Sequence, residues 1–224
     1  MEENNQSQNL NTDEIKRETV ETVNQVKDTI KNVNFKDDTK VATGFASSMF
    51  KNPIGTLENI VNDSDNKHFK TAIIFIIIWT VAILIKSLPY RYLSFNYLFD
   101  QLLSIIKAII APTLGILTMS SIVYVFNKNN KKSMVSIITS IVTANIPIIL
   151  ASVISLLTLF SGRISIITTP INSIASCVSI VLTYFVTKMI FQEESDTEFI
   201  KKFVMIEVIY YICRVVISLL EIYI

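Results

Sequence analysis

Residues 71–85 read TAIIFIIIWTVAILI, an uncharged run between Lys70 and Lys86. An α-helix needs roughly 20 mostly apolar residues to cross the hydrocarbon core of a bilayer, and lysines at its ends can reach the headgroups. From Thr71 onward the chain is a succession of such runs, whereas residues 1–70 hold 9 Lys/Arg and 12 Asp/Glu. The sequence therefore predicts a polar amino-terminal region followed by an all-α membrane domain.

The overall composition is also that of a membrane protein. Half of the residues are hydrophobic and 17% are charged, whereas an average soluble domain has about 25% charged residues. The net charge is +1 and no basic cluster is present, so we expect no nucleic acid partner. Cys177 and Cys213 lie inside apolar runs without metal-ligand spacing, and we expect both thiols to be inert.

Five apolar stretches have the composition of transmembrane helices, and we predict a polytopic bundle of five. They lie at about residues 71–87, 105–126, 134–160, 168–190 and 203–222. The third and fourth stretches belong to runs too long for an upright crossing, so tilt or kinks must absorb the excess. Pro112, Pro147 and Pro170 are the expected bends. Small and hydroxyl residues from Ser133 to Asn145 predict close helix packing, with a substrate path as the alternative.

The lysine and arginine distribution predicts the orientation of this bundle. With a cytoplasmic amino terminus, the outer side carries only Lys86, Arg91 and Arg163. The inner side then carries nine lysines: Lys51, Lys67, Lys70, Lys128, Lys131, Lys132, Lys188, Lys201 and Lys202. Since positive charge favours the cytoplasmic side, we predict a multi-pass protein of the cell (plasma) membrane with its carboxyl terminus outside.

The first 45 residues are predicted to form a charged cytoplasmic arm, disordered to helical. Apolar residues from Ile15 to Val33 recur at steps of three and four, which is the period of a helix. Residues 1–40 have a net charge of −3, so anionic lipid would repel them. The arm is then either a solvated helix or weak coiled coil, or a docking element for another membrane or cytoplasmic protein.

Residues 46–70 are predicted to form an interfacial amphipathic segment. Asn52 followed by Pro53 is typical of a helix start. A helix over residues 53–62 places its apolar residues on one side, and Phe50 precedes it. We predict that this helix lies against the bilayer before the first crossing.

Four ionisable residues inside the apolar stretches are the candidate functional residues: Lys107, Glu207, Arg214 and Glu221. A charge at the centre of a bilayer costs about 2.5–3.5 kcal/mol on insertion scales. Both glutamates of the last stretch lie seven positions from Arg214, with Tyr211 and Ser218 between them, which predicts a polar stripe facing the bundle interior. Its predicted role is an ion pair or helix packing, with transport or ligand binding as the alternative. For Lys107 we expect outward snorkelling, with a polar path as the alternative.

No motif in the chain indicates an enzyme. His68 is the single histidine, so histidine-based metal or triad chemistry lacks its parts. The sequence contains no Walker loop, GxSxG or HExxH motif. We therefore expect no catalytic residue, no metal site and no cofactor.

Two segments resemble bacterial members of the Yip family. The first is Met49-Phe50-Lys51-Asn52-Pro53, followed by Leu57 and Ile60-Val61. The second runs from Ile122-Val123-Tyr124-Val125-Phe126 through the polar loop Asn127–Lys132 and Ser133-Met134 to Ala144-Asn145-Ile146-Pro147. The resemblance covers roughly residues 46–222. It implies five spans and a cytoplasmic amino terminus, but no catalytic residue and no substrate.

The leading hypothesis for function is a non-enzymatic, Yip-like membrane protein. It would act in scaffolding or membrane organisation through residues 1–45 and the cytoplasmic loops, with the lipid bilayer as its other partner. The alternative is a small transporter or channel component that uses the polar residues of the last span.

Overall fold

The computed structural model describes the backbone of residues 2–63, 65–87, 98–127, 132–192 and 195–223. These ranges are almost entirely helical and contain no strand, which confirms the predicted all-α fold. The α-helices are α1 (Glu2–Lys31), α2 (Phe35–Lys51), α3 (Pro53–Val61), α4 (Phe69–Ser87), α5 (Leu98–Phe126), α6 (Met134–Ala144), α7 (Ile146–Ser155), α8 (Ser165–Ile190) and α9 (Asp196–Tyr223). Two short 3₁₀ turns, Leu156–Leu159 and Gly162–Ile164, connect α7 to α8.

Two of the described helices are long and apolar enough to cross a membrane. They are α4, with mean hydropathy 2.1, and the segment Gly162–Ile190 that contains α8, with mean hydropathy 1.7. The segments Met134–Ala144 and Ile146–Leu159 qualify together as a third, broken span with a bend of 48°. A shorter apolar helix covers Pro112–Phe126 of α5. The predicted stretches at 105–126 and 203–222 fall on α5 and α9.

The break between α6 and α7 lies at a predicted bend. The side-chain amide of Asn145 donates to the carbonyl of Ile141 at 2.7 Å, and Pro147 lies in the first turn of α7. Proline is tolerated there because the first amides of a helix have no intrahelical acceptor. The predicted kink at Pro147 is confirmed. Pro112 lies inside α5 and Pro170 inside α8, and the bends predicted at these two residues stay predictions.

Helix α6 lies at the centre of the bundle. Every residue from Val135 to Ala144 is buried, and α6 contacts α3, α4, α5 and α8. The hydroxyls of Thr139, Ser140 and Thr143 each donate to a carbonyl four residues earlier at 2.8 Å. These hydroxyls are therefore satisfied within their own helix, and their small size lets neighbouring helices approach closely.

Helices α1 to α3 cover one end of the bundle, which we call the arm end. Here α1 contacts α4 and α6, α2 contacts α4, and α3 contacts α6 and α8. Leu57, Ile60 and Val61 of α3 are at most 2% exposed. The apolar side of α3 therefore packs within the chain itself, and the contact with a bilayer predicted for residues 46–70 stays a prediction.

Helices α8 and α9 carry apolar faces that no other described residue covers. On α8 the large exposed side chains include Ile166, Ile167, Ile174, Ile180 and Val181. On α9 they include Val204, Met205, Val208, Ile212, Val215 and Val216. Apolar faces of this kind are typical of helices that contact lipid hydrocarbon.

Candidate functional site

Glu18 of α1 makes the most specific polar contact between the arm and the bundle. One carboxylate oxygen accepts the backbone N–H of Met134, the first residue of α6, at 3.1 Å. The other accepts a hydrogen bond from the hydroxyl of Tyr124, in the last turn of α5. The first amides of a helix lack an intrahelical acceptor, and the helix dipole favours negative charge there. Glu18 thus ties the arm to groups 106 and 116 residues later in the chain.

One face of α1 rests on the bundle around this contact. Thr22 is 8% exposed, and its hydroxyl donates to the backbone carbonyl of Glu18 at 2.8 Å. Val26 and Val33 are partly buried against the hydrophobic core. Glu18, Thr22 and Val26 recur every four residues and so lie on one side of the helix. This side is the docking face of the arm.

Beside the docking face, α1 carries a second, open apolar stripe. Val20 and Val23 are each 59% exposed, and Ile30 is 52% exposed. Val23 and Ile30, seven positions apart, lie on one side of the helix next to Val26, and Val20 lies three positions before Val23. We call this set the outer stripe. The arm is thus two-sided, with one face docked and one apolar face open.

Lysines of the bundle tie down α2 and α3. The ammonium of Lys70, at the start of α4, lies 2.9 Å from the carboxylate of Asp38, which also accepts the backbone N–H of Asn34 at 2.7 Å. The hydrogen bond from Lys70 holds the pKa of Asp38 below its usual range. Lys132 donates to the backbone carbonyl of Val61 at 2.8 Å, one of the last carbonyls of α3, which have no intrahelical donor. Each arm helix therefore has its own polar tie to the bundle.

The start of α3 has the predicted geometry. The side-chain oxygen of Asn52 accepts the backbone N–H of Gly55 at 3.1 Å, and Pro53 is the first residue of the helix. This arrangement confirms Asn52 as the N-cap. Phe50 is 63% exposed, and its predicted place at the membrane interface stays a prediction.

The inner face of α9 differs from the predicted polar stripe. It is formed by residues that recur at steps of three and four, namely Phe199, Phe203, Ile206, Tyr210, Cys213 and Ile217. Glu207 is half-buried beside this face and Arg214 is exposed. A Cβ on Gly115 of α5 would lie 3.5 Å from the hydroxyl of Tyr210, so Tyr210 lies against α5. Tyr211 is 70% exposed, because successive residues of a helix point 100° apart.

The remaining candidate residues lie on α5 and α9, and the structure describes only some of their side chains. Lys107 lies in α5 and Glu221 in α9, but their side chains lie outside the described residues. Pro112 is buried in α5. Among the residues that the structure describes, no group of three or more His, Cys, Asp and Glu could hold a metal ion. His68 packs instead against the ring of Phe45, with ring centroids 5.4 Å apart.

Three buried polar side chains of the described bundle have no hydrogen-bond partner. They are Ser120, Asn127 and Ser179, and both amide atoms of Asn127 are affected. An unsatisfied buried polar group costs about 1–3 kcal/mol, so each requires an explanation. Ser120, Tyr124 and Asn127 follow one another at steps of four and three, so they share one face of the end of α5.

The sequence analysis missed Glu18 and its partners. A signal was present, because Glu18 falls between Ile15 and Thr22 on the side of the helix that otherwise carries apolar or small residues. A carboxylate within such a stripe indicates a specific donor on the surface that the helix covers. The identity of that donor was not accessible, since Tyr124 and Met134 approach Glu18 only in the folded chain.

No protein-family model, curated protein or solved structure matches this chain.

Proposed function

We propose that this chain is a non-enzymatic scaffold of the cell membrane, similar to Yip family proteins, that presents its arm to a partner protein. The outer stripe of α1 is the surface that the partner contacts. Residues 1–45 thereby act as a docking element of fixed position, and the bundle serves as the anchor.

The observation that carries this proposal is the two-sided arm. Glu18, Asp38 and Val61 each have a polar partner on the bundle or on the segment leading into it, and these contacts hold α1 to α3 in place. The outer stripe nevertheless stays open, with Val20 and Val23 each 59% exposed. A preordered helix loses less conformational entropy on binding than a free segment, so a held arm favours association.

The proposed topology has five crossings, made by α4, α5, the broken pair α6–α7, α8 and α9. The arm end then faces the cytoplasm, because it carries most of the lysines of the loops. Helices α8 and α9 expose their apolar faces to lipid. A reporter fused after α9 would be active outside the cell; activity only in the cytoplasm would overturn this topology.

The proposed partner contact is tested by photocrosslinking in cells. A photoreactive residue placed at Val23, on the outer stripe, is expected to crosslink a second protein. The same residue at Val26, on the docking face, is expected to crosslink only within the chain. Val20→Asp together with Val23→Asp should abolish the intermolecular product. Asn24→Asp, a matched charge on an exposed neighbour, should retain it. Equal crosslinking at Val23 and Val26 would contradict the proposal.

The transport alternative predicts a different set of outcomes. Under that alternative, Glu207→Gln and Arg214→Gln leave the protein folded but abolish a solute or ion flux in proteoliposomes. Under scaffolding, deletion of residues 1–45 abolishes function and both substitutions in α9 are silent. Loss of flux in the α9 variants, together with full function of the deletion, would replace scaffolding by transport.

A further inference from the structure

We propose that donors at the end of α5 and the start of α6 form an anion-binding site, that Glu18 fills it while the arm is docked, and that a phosphate-bearing ligand competes with Glu18. This inference deepens the proposed function, because it assigns a regulator to the arm on which that function rests. Release of Glu18 would free α1 from the bundle.

The first argument is the chemistry of the groups that hold Glu18. The hydroxyl of Tyr124 and the backbone N–H of Met134 both act as donors toward its carboxylate. Met134 begins α6, a helix of 11 residues, whose amino-terminal dipole favours an anion. The carboxylate shows that these donors converge on one anionic group, and nothing in their geometry requires that the group belong to the same chain.

The second argument is an unused amide on the same side of α5 as Tyr124. Asn127 is 3% exposed, and neither its side-chain nitrogen nor its oxygen has a hydrogen-bond partner. It lies three residues after Tyr124 in the turn that ends α5, so the two side chains share a face. The two oxygens of Glu18 serve two donors and leave this amide unsatisfied. A phosphate monoester has three terminal oxygens and matches three donors.

A nearby cation supports an anionic ligand here. Lys132 lies two residues before Met134. It is half-buried, and its ammonium group donates to the carbonyl of Val61, which is a neutral acceptor. Phosphate at the arm end has two sources, a lipid headgroup or a soluble phosphate compound. Both present the same oxygens to the site.

The test uses the purified full chain in nanodiscs of phosphatidylcholine, with inorganic phosphate as the probe. Glu18→Gln removes the competing charge and is expected to bind phosphate about tenfold more tightly than the unsubstituted chain, because a hydrogen bond to a charged group contributes about 1.5–3 kcal/mol. Glu21→Gln removes the same charge from an exposed neighbour that pairs with Arg17 and should bind like the unsubstituted chain. Adding Tyr124→Phe to Glu18→Gln should reverse the gain.

Replacing part of the phosphatidylcholine by phosphatidic acid separates the two sources. Competition between that lipid and inorganic phosphate would identify a headgroup site, and its absence would identify a soluble ligand. In either case, phosphate must increase the proteolysis of α1 at Lys27 and Lys31, which measures release of the arm. Fluorescence of Trp79 checks that each variant is folded.

The proposal is overturned if Glu18→Gln and Glu21→Gln bind phosphate equally, if Tyr124→Phe has no effect, or if no folded variant binds phosphate. These measurements require no partner protein. Failure of phosphate binding therefore leaves scaffolding intact, and failure of the crosslinking experiment leaves the anion site intact.

Discussion

Truncation of Leu57 to alanine tests whether α3 is part of the folded core. Leu57 is 0% exposed and α3 contacts α6 and α8. The substitution deletes three carbon atoms, which corresponds to about 2.4 kcal/mol of transfer free energy from water. A cavity left behind adds to this loss, and buried Leu→Ala changes cost about 2–5 kcal/mol. We expect the free energy of unfolding to fall by about 3 kcal/mol.

The assay is reversible unfolding of the purified chain in a mild detergent with increasing urea, in which the unfolded α3 enters water. Trp79 is the single tryptophan, and its indole N–H donates to the hydroxyl of Ser152 at 3.2 Å. Its fluorescence therefore reports the α4–α7 contact, at a site distinct from the substitution. Phe50→Ala is the control, because Phe50 is 63% exposed and its truncation is expected to change the stability by less than about 0.5 kcal/mol.

The two variants distinguish a core helix from a helix lying on lipid. On a bilayer surface, Leu57 would contact hydrocarbon before and after unfolding, so its transfer term would vanish. A loss below about 1 kcal/mol for Leu57→Ala, or equal losses for both variants, would refute the burial of α3.

Three further predictions use the same fluorescence assay. Because folding lowers the pKa of Asp38 from its ordinary value of 3.8, the Asp38 carboxylate stabilises the folded chain above that pH. This stabilisation is lost as the pH falls through the folded-state pKa. Asp38→Asn should therefore reduce the loss of stability in acid, and Asp37→Asn should reduce it less. A Cβ built on Gly44 in α2 has no atom within 4 Å. Gly44→Ala should therefore stabilise the fold by about 0.5–1 kcal/mol through helix propensity. A loss of stability would contradict the open space around Gly44. Ser120→Ala removes a buried unpartnered hydroxyl and should stabilise the fold by about 1 kcal/mol. Ser140→Ala is the control, because it breaks a hydrogen bond of 2.8 Å and should not stabilise the fold. A stability gain for Ser140→Ala and a loss for Ser120→Ala would contradict the unpartnered state of Ser120.

Features set by local sequence could be predicted well. Residues 71–85 form an apolar helix because no charge interrupts them, and they lie inside α4 as expected. The cap at Asn52 and the break before Pro147 depend on neighbouring residues only. Pro112 lies inside α5, as expected for a bend rather than a helix end, because surrounding helices can accommodate a proline in an apolar bundle.

Features set by contacts between distant residues could not be predicted in the same way. Helical periodicity identifies an apolar side of α3 but does not say whether protein or lipid covers it. In α9, a spacing of seven residues places Glu207 and Arg214 on the same side of the helix, about two turns apart. The orientation of α9 against α5, however, decides that Tyr210 faces inward and Tyr211 outward. The contact between Glu18 of α1 and Tyr124 of α5 depends on the paths of the three helices between them, α2 to α4.

Hydrogen exchange of the Met134 amide tests the docked arm most directly. Labelling with ¹⁵N-methionine makes this amide observable among the 6 methionines. As the first amide of α6 it has no acceptor within its helix, so its protection depends on Glu18. Slow exchange in the unsubstituted chain and in Glu21→Ala, with fast exchange in Glu18→Ala, is the predicted result. Fast exchange in the unsubstituted chain, or slow exchange that survives Glu18→Ala, would contradict the docked arm.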